Sequence, residues 1–111
     1  LERDLIMAEP KQADKVVKMS KDGKRETFEL KDKGGKIIET YTFQFPGVLK
    51  TQELVDESTN GYGATVTKDY NEALMKHVII EPKTNWPYWD EHEGYRRVME
   101  AADRFLGKLL R

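Results

Sequence analysis

The sequence predicts a small α+β domain: an antiparallel β-meander of two to three strands, followed by about three α-helices packed on one face. Three observations predict it. Tyr41, Phe43 and Phe45 alternate with Thr42 and Gln44, the period of a strand with one buried face. Asp22-Gly23 and Asp32-Lys33-Gly34-Gly35 punctuate the preceding stretch with hairpin cues, because Asp and Gly tolerate positive φ. Tyr95, Val98, Met99, Ala102, Phe105, Leu106 and Leu109 recur at spacings of three and one, a single apolar stripe along a helix.

Each element follows from its residues. The extended segments are roughly 15–19, 25–31 and 36–45; in the second, Phe28 and Leu30 share a face. Pro46-Gly47 stops the third, since Pro donates nothing to a ladder. A helix is expected from Val48 to about Glu57, with Leu54 and Val55 its few apolar residues. Asn60-Gly61-Tyr62-Gly63 reads as a loop. Thr67 is placed to cap a helix carrying Tyr70, Leu74, His77 and Val78, with Ile79 and Ile80 continuing it into Glu81-Pro82. Asp90 is the expected N-cap of the final helix, with Glu93 completing a capping box. A one-sided sheet needs a cover. The face of Phe28, Leu30, Tyr41, Phe43 and Phe45 is therefore expected on Val98, Met99, Phe105 and Leu106 of the last helix.

At 111 residues the chain has the length of one domain. Residues 15–111 are read as that single domain, and residues 1–14 as a flexible N-terminal segment. Within the latter, Met7-Ala8-Glu9-Pro10 reads as a natural start and residues 1–6 as a remnant ahead of it. Leu5-Ile6-Met7-Ala8 is too short for the apolar region of a signal peptide. No apolar run approaches the roughly 18 residues of a membrane span, so no membrane role is expected.

Charged residues make up 35% of the chain and hydrophobic ones 38%, yet the net charge is only −1, so self-repulsion does not argue for disorder. With no Cys, disulfide scaffolds, thiolate metal sites and a Cys nucleophile are excluded. Ser20 and Ser58 lie in or beside predicted turns, and His77 and His92 are 15 residues apart, with no spacing that favours a triad. No enzymatic activity, and no catalytic, cofactor-binding or metal residue, is expected. Asp90-Glu91-His92-Glu93 is dense in potential ligands, but consecutive helical residues fan apart, and an acidic helix start explains the stretch. Gly61-Tyr62-Gly63 lacks the following Lys-Ser or Lys-Thr of a phosphate cradle. Nine basic residues fall between Lys11 and Lys36, but five acidic ones interleave with them, and the neighbouring aromatics belong to the core face. Solvated strands account for that pattern, and nucleic acid is not an expected partner.

Trp86-Pro87-Tyr88-Trp89 gathers both tryptophans beside a tyrosine in a predicted connection between helices. Such rings either close a core with their polar edges at the rim or anchor a partner. Leu110 falls off the main apolar stripe of the last helix, which leaves it facing solvent. The candidate partner-binding residues are Trp86, Tyr88 and Trp89, with Leu109 and Leu110 beside them.

The order of a strand end Tyr41-Thr42-Phe43-Gln44-Phe45-Pro46-Gly47, then Leu74-Met75-Lys76-His77-Val78-Ile79-Ile80-Glu81-Pro82-Lys83 with its Val-Ile-x-Glu-Pro-Lys helix end, then an aromatic-acidic turn and a closing amphipathic helix, resembles the tail assembly chaperones of long-tailed bacteriophages and prophages of Gram-positive hosts. The similarity spans roughly residues 26–110. It implies a non-enzymatic protein of the bacterial host cytoplasm. Such a protein coats the aggregation-prone tape measure protein and keeps it soluble until tube subunits polymerise around it. In that family a longer form made by ribosomal frameshifting is a further partner. Two rival readings remain: a structural head–tail connector or tail terminator subunit, and a small nucleic-acid-binding or regulatory module.

Overall fold

The computed structural model describes residues 16–19 and 24–110. The expected flexible segment at residues 1–14 and the turn at Ser20–Gly23 lie outside the described residues. Four strands form one antiparallel sheet in the order β1 (Val16–Met19), β2 (Arg25–Lys31), β3 (Ile37–Gln44), β4 (Ile79–Glu81). Among the described residues four helices accompany them: α1 (Val48–Glu57), α2 (Thr67–His77), α3 (Trp86–Glu91) and α4 (Tyr95–Leu109). The α+β class and the leading meander are as the sequence predicts.

The β2–β3 hairpin turns on Asp32. Its Oδ1 accepts from the backbone N–H groups of Gly34 and Lys36, each at 2.9 Å, and Gly35 takes a φ of 88°. The register sets Phe28 opposite Tyr41 and Glu26 opposite Phe43, so one face carries Phe28, Leu30, Tyr41 and Phe43, all buried. The opposite face and the strand starts are polar or open. Even Ile37 and Ile38 are exposed at the beginning of β3.

Helix α4 lies across the buried face. Val98, Met99, Ala102, Phe105 and Leu106 of its apolar stripe are buried, and Phe105 meets Phe43 with ring centroids 5.8 Å apart. Leu54 of α1, Leu74 and Met75 of α2, and Val78 and Ile79 complete the core, with Phe45 half-buried at its margin.

Four expectations are corrected. Ile79 and Ile80 do not prolong α2; they form β4, with Thr42 paired to Glu81 and Phe43 to Ile79. Val78, Ile79 and Ile80 are three successive β-branched residues, which favour the pleated sheet over the helix. Thr67 is not the cap of α2 but its first residue; Val66 holds the cap position without a side-chain hydrogen bond. Trp86–Trp89 is not a plain connection. It opens α3, capped by Asn85, whose Oδ1 accepts from Tyr88 N–H at 2.8 Å, with Pro87 in the first turn where its missing N–H costs nothing. Asp90 therefore sits inside α3, and α4 starts after Gly94, in the left-handed region at φ 98°.

Candidate functional site

Helix α3 presses its rings onto the edge of the core. Trp89 stacks on Tyr41 at a centroid distance of 5.8 Å, meets Tyr88 edge-on at 4.7 Å, and directs its indole N–H to Met75 Sδ at 3.2 Å. Tyr88 shares a 2.8 Å hydroxyl–hydroxyl hydrogen bond with Tyr41 and lies flat on the His92 ring, with centroids 3.9 Å apart. Burial, and then the Tyr88 hydrogen bond, raise the Tyr41 hydroxyl well above the ordinary phenol range, so it stays neutral. Trp89 and Tyr88 are thus committed to contacts within the fold, the core-closing role that aromatic residues with a polar edge commonly take.

Trp86 stands apart from them. Its ring tilts against Tyr95 at 5.8 Å, its N–H reaches Glu72 Oε1 only at 3.5 Å, and with Lys68 and Tyr95 it lines an apolar recess of about 370 Å³. Leu109 and Leu110 do not join this cluster. They lie at the other end of α4, fourteen and fifteen residues beyond Tyr95, which at 1.5 Å per residue is about 21 Å along the axis. The expected single patch is therefore two places. Leu109 is half-buried against the core, whereas Leu110 is 47% exposed.

Tyr95 also borders a larger groove of about 540 Å³, which runs between α2 and α4 and ends at the α1–α2 loop. Val55, Thr67, Tyr70, Tyr95 and Met99 contribute to its lining. Tyr70 donates to Asp103 Oδ1 at 2.6 Å, and Asn71 Nδ2 donates to the Tyr95 hydroxyl at 2.8 Å. These bonds fix two of the lining rings. Burial, followed by the Asp103 hydrogen bond and charge, raises the Tyr70 hydroxyl above its ordinary range.

The loop at the end of this groove is built as a rigid turn. Asn60 Oδ1 accepts from the N–H groups of Tyr62 and Ala64, Asn60 N–H bonds Ala64 O at 2.8 Å, and Thr59 bridges Thr65. At its tip Tyr62 is 96% exposed. The sequence predicts the loop at residues 60–63 but neither the display of Tyr62 nor the groove. Tyr70 and Tyr95 read as members of helix stripes, and Asn60-Gly61 was the available signal for an Asx-type turn that displays the next residue.

The stretch Asp90-Glu91-His92-Glu93 is used structurally: His92 Nδ1 lies 2.7 Å from Tyr88 O and its ring supports Tyr88. Among the described residues no group of three or more His, Cys, Asp or Glu is placed to hold a metal ion, and no helix is long and apolar enough to cross a membrane. No protein-family model, curated protein or solved structure matches the chain.

Proposed function

We propose that this protein is a non-enzymatic tail assembly chaperone, which binds the tape measure protein of a long-tailed phage or prophage in the host cytoplasm and keeps it soluble during tail building. The observation that carries this reading is the pairing of the two sequence motifs behind the resemblance. Residues 41–47 and 78–83 are 31 positions apart at their nearest ends, yet Phe43 pairs with Ile79, Thr42 with Glu81, and Gln44 N–H bonds Val78 O at 2.8 Å. The two motifs thus adjoin in one ladder, although the second, a helix end in the resemblance, is the strand β4 here.

The surface agrees with a binding role. Val48 and Leu49 are 65% and 73% exposed at the start of α1, and Tyr62 and Leu110 are also open. Apolar side chains dispersed over a charge-rich domain suit a client that is held and later displaced. Of the candidate residues, Leu110 is exposed, while Trp86, Tyr88, Trp89 and Leu109 are each half-buried against the core. Trp86 has the fewest ring contacts of the three aromatics.

Co-expression with a phage tape measure protein tests the reading. The client is expected to co-purify with the protein and to remain in the supernatant. A folded protein that neither retains the client nor keeps it soluble overturns the proposal.

A further inference from the structure

The groove between α2 and α4 has the build of a helix receptor, and its charges say which kind. Tyr70, Tyr95, Met99 and Val55 give it an aromatic and apolar strip, the remaining lining residues being polar or charged, and the Tyr70 and Tyr95 rings are held by hydrogen bonds to Asp103 and Asn71. It is an open trough. A small molecule needs most of its surface enclosed, whereas a row of side chains from one face of a helix needs only a trough.

Three charged side chains border it, Arg96, Glu100 and Asp103, two acids to one base. Among the described residues the side chains of Arg96 and Glu100 make no hydrogen bond or ion pair, and Asp103 offers a second carboxylate oxygen beyond the one Tyr70 occupies. Lys68, on the flanking recess, lies 3.8 Å from both Asp69 and Glu72, so its charge is largely answered within α2. The border is thus net acidic and its carboxylates are available to a partner.

We infer that this groove binds an amphipathic helix whose apolar stripe is bordered by Lys or Arg, with the basic side chains placed over Glu100 and Asp103. The inference rests on the chaperone reading only for where such a helix comes from, the tape measure client. The groove itself is tested without that client. The expected complex is small, below the roughly 1,600 Å² of a standard interface, and therefore readily reversed.

The probe is a synthetic helical peptide of about 18 residues, five turns long. It carries Leu at i, i+3, i+4 and i+7 and is made in three forms, with the stripe bordered by Lys, by Gln or by Glu. Binding is read by fluorescence anisotropy of labelled peptide against the intact protein. The Lys form is expected to bind most tightly, and its affinity to fall with added salt. Glu100→Arg is expected to weaken the Lys form by roughly fivefold to tenfold and to improve the Glu form, as reversal of an attractive contact does. Thr67→Arg, an exposed change at the groove wall, is expected to block all three, with the circular dichroism spectrum and melting temperature unchanged.

Equal binding of the three forms overturns the charge assignment. Thr67→Arg binding like the parent overturns the groove as the site. A protein that self-associates through this face, with Thr67→Arg dissociating it, overturns the client-helix assignment in favour of a second copy. Retention of the tape measure protein with no effect of Glu100→Arg or Thr67→Arg leaves the chaperone reading standing and removes this one.

Discussion

Gly94 and Leu30 meet where the turn into α4 passes the end of β2: a β-carbon on Gly94 would lie 2.4 Å from Leu30 Cδ2. Leu30 is fully buried, so moving its side chain disturbs the core around it, and Gly94 also holds a φ of 98°. Two separate demands for glycine coincide at the residue that sets the angle of α4 over the sheet. Gly94→Ala is therefore expected to cost about 1–3 kcal/mol from overpacking alone, with the strained backbone adding to it. Gly63→Ala is the control. It shares the positive φ, at 83°, but meets nothing within 4 Å, so denaturant melts should show a clearly smaller loss for it. Equal losses would show that the contact with Leu30 contributes nothing.

Phe43 and Phe105 join the sheet to α4 at the centre of the core, both fully buried. Either change to Ala is expected to cost about 3–5 kcal/mol, a large share of the roughly 5–15 kcal/mol that holds a domain together. Thermal melts followed by circular dichroism check this. A variant within a couple of degrees of the parent would refute the layer arrangement.

This core was legible in the sequence because two periodicities met in it, period two through Phe28, Leu30, Tyr41 and Phe43, and the helical stripe through Phe105. The errors lie where a short signal had two meanings. Val78, Ile79 and Ile80 continue the apolar spacing of α2 and also form a β-branched run, and a run that short is ambiguous by period alone. Only its pairing with β3, a contact across more than 30 residues, decides for the strand. Asp90 and Glu93 had the spacing of a capping box, but Asn85-Trp86-Pro87 starts a helix earlier and absorbs Asp90 into it. The candidate site was read less well. Local sequence gathered the aromatics of α3, and the length of the predicted last helix already set Leu109 and Leu110 far from them; what it could not show is that Tyr70 and Tyr95 converge on one groove.

Glu26 and Lys108 form an ion pair across 82 positions, with the carboxylate fully buried, its Oε1 on Lys108 Nζ and its Oε2 without a partner among the described residues. Removing the cation leaves a buried charge unanswered, whereas removing both charges does not. Lys108→Met is expected to cost about 1–3 kcal/mol. Glu26→Gln added to it should recover a large part of that loss. A double mutant less stable than Lys108→Met alone would contradict this account of the pair.

His77, at the end of α2, is held below the ordinary histidine value by burial and then by Lys50 and Lys76, with Lys83 adding and Glu57 opposing. The folded state therefore binds this proton less readily than the unfolded chain does. The sign follows from linkage: stability rises with pH where the unfolded state holds more protons. The contribution is present above the unfolded value near 6.5 and is lost as pH falls through it toward the lowered folded value. Urea midpoints measured from about pH 7.5 to 5.5 should fall on acidification, and His77→Gln should flatten that part of the profile. An unchanged slope in the variant would assign the dependence to other groups.

The two tryptophans of α3 are expected to separate stability from client binding. Trp89 is tied to Tyr41, Met75, Tyr88 and Tyr95, so Trp89→Ala should cost about 3–5 kcal/mol. At roughly 4 °C or more per kcal/mol for a domain of this size, the melting temperature should drop by well over 10 °C. Trp86 has one ring neighbour, Tyr95, and a single long hydrogen bond to Glu72, and it borders the recess beside the groove. Trp86→Ala should lower the melting temperature by much less. If its exposed face is an anchor for the client, the same change should weaken tape measure retention by 2 kcal/mol or more, about thirtyfold, as truncation of a central aromatic anchor does. Pull-down at a temperature where both variants are folded compares them directly. A Trp86→Ala protein that stays folded and retains the client as well as the parent would remove Trp86 from the binding surface. A Trp89→Ala protein that melts like the parent would show that the contacts of Trp89 with Tyr41 and Met75 do not hold α3 on the core.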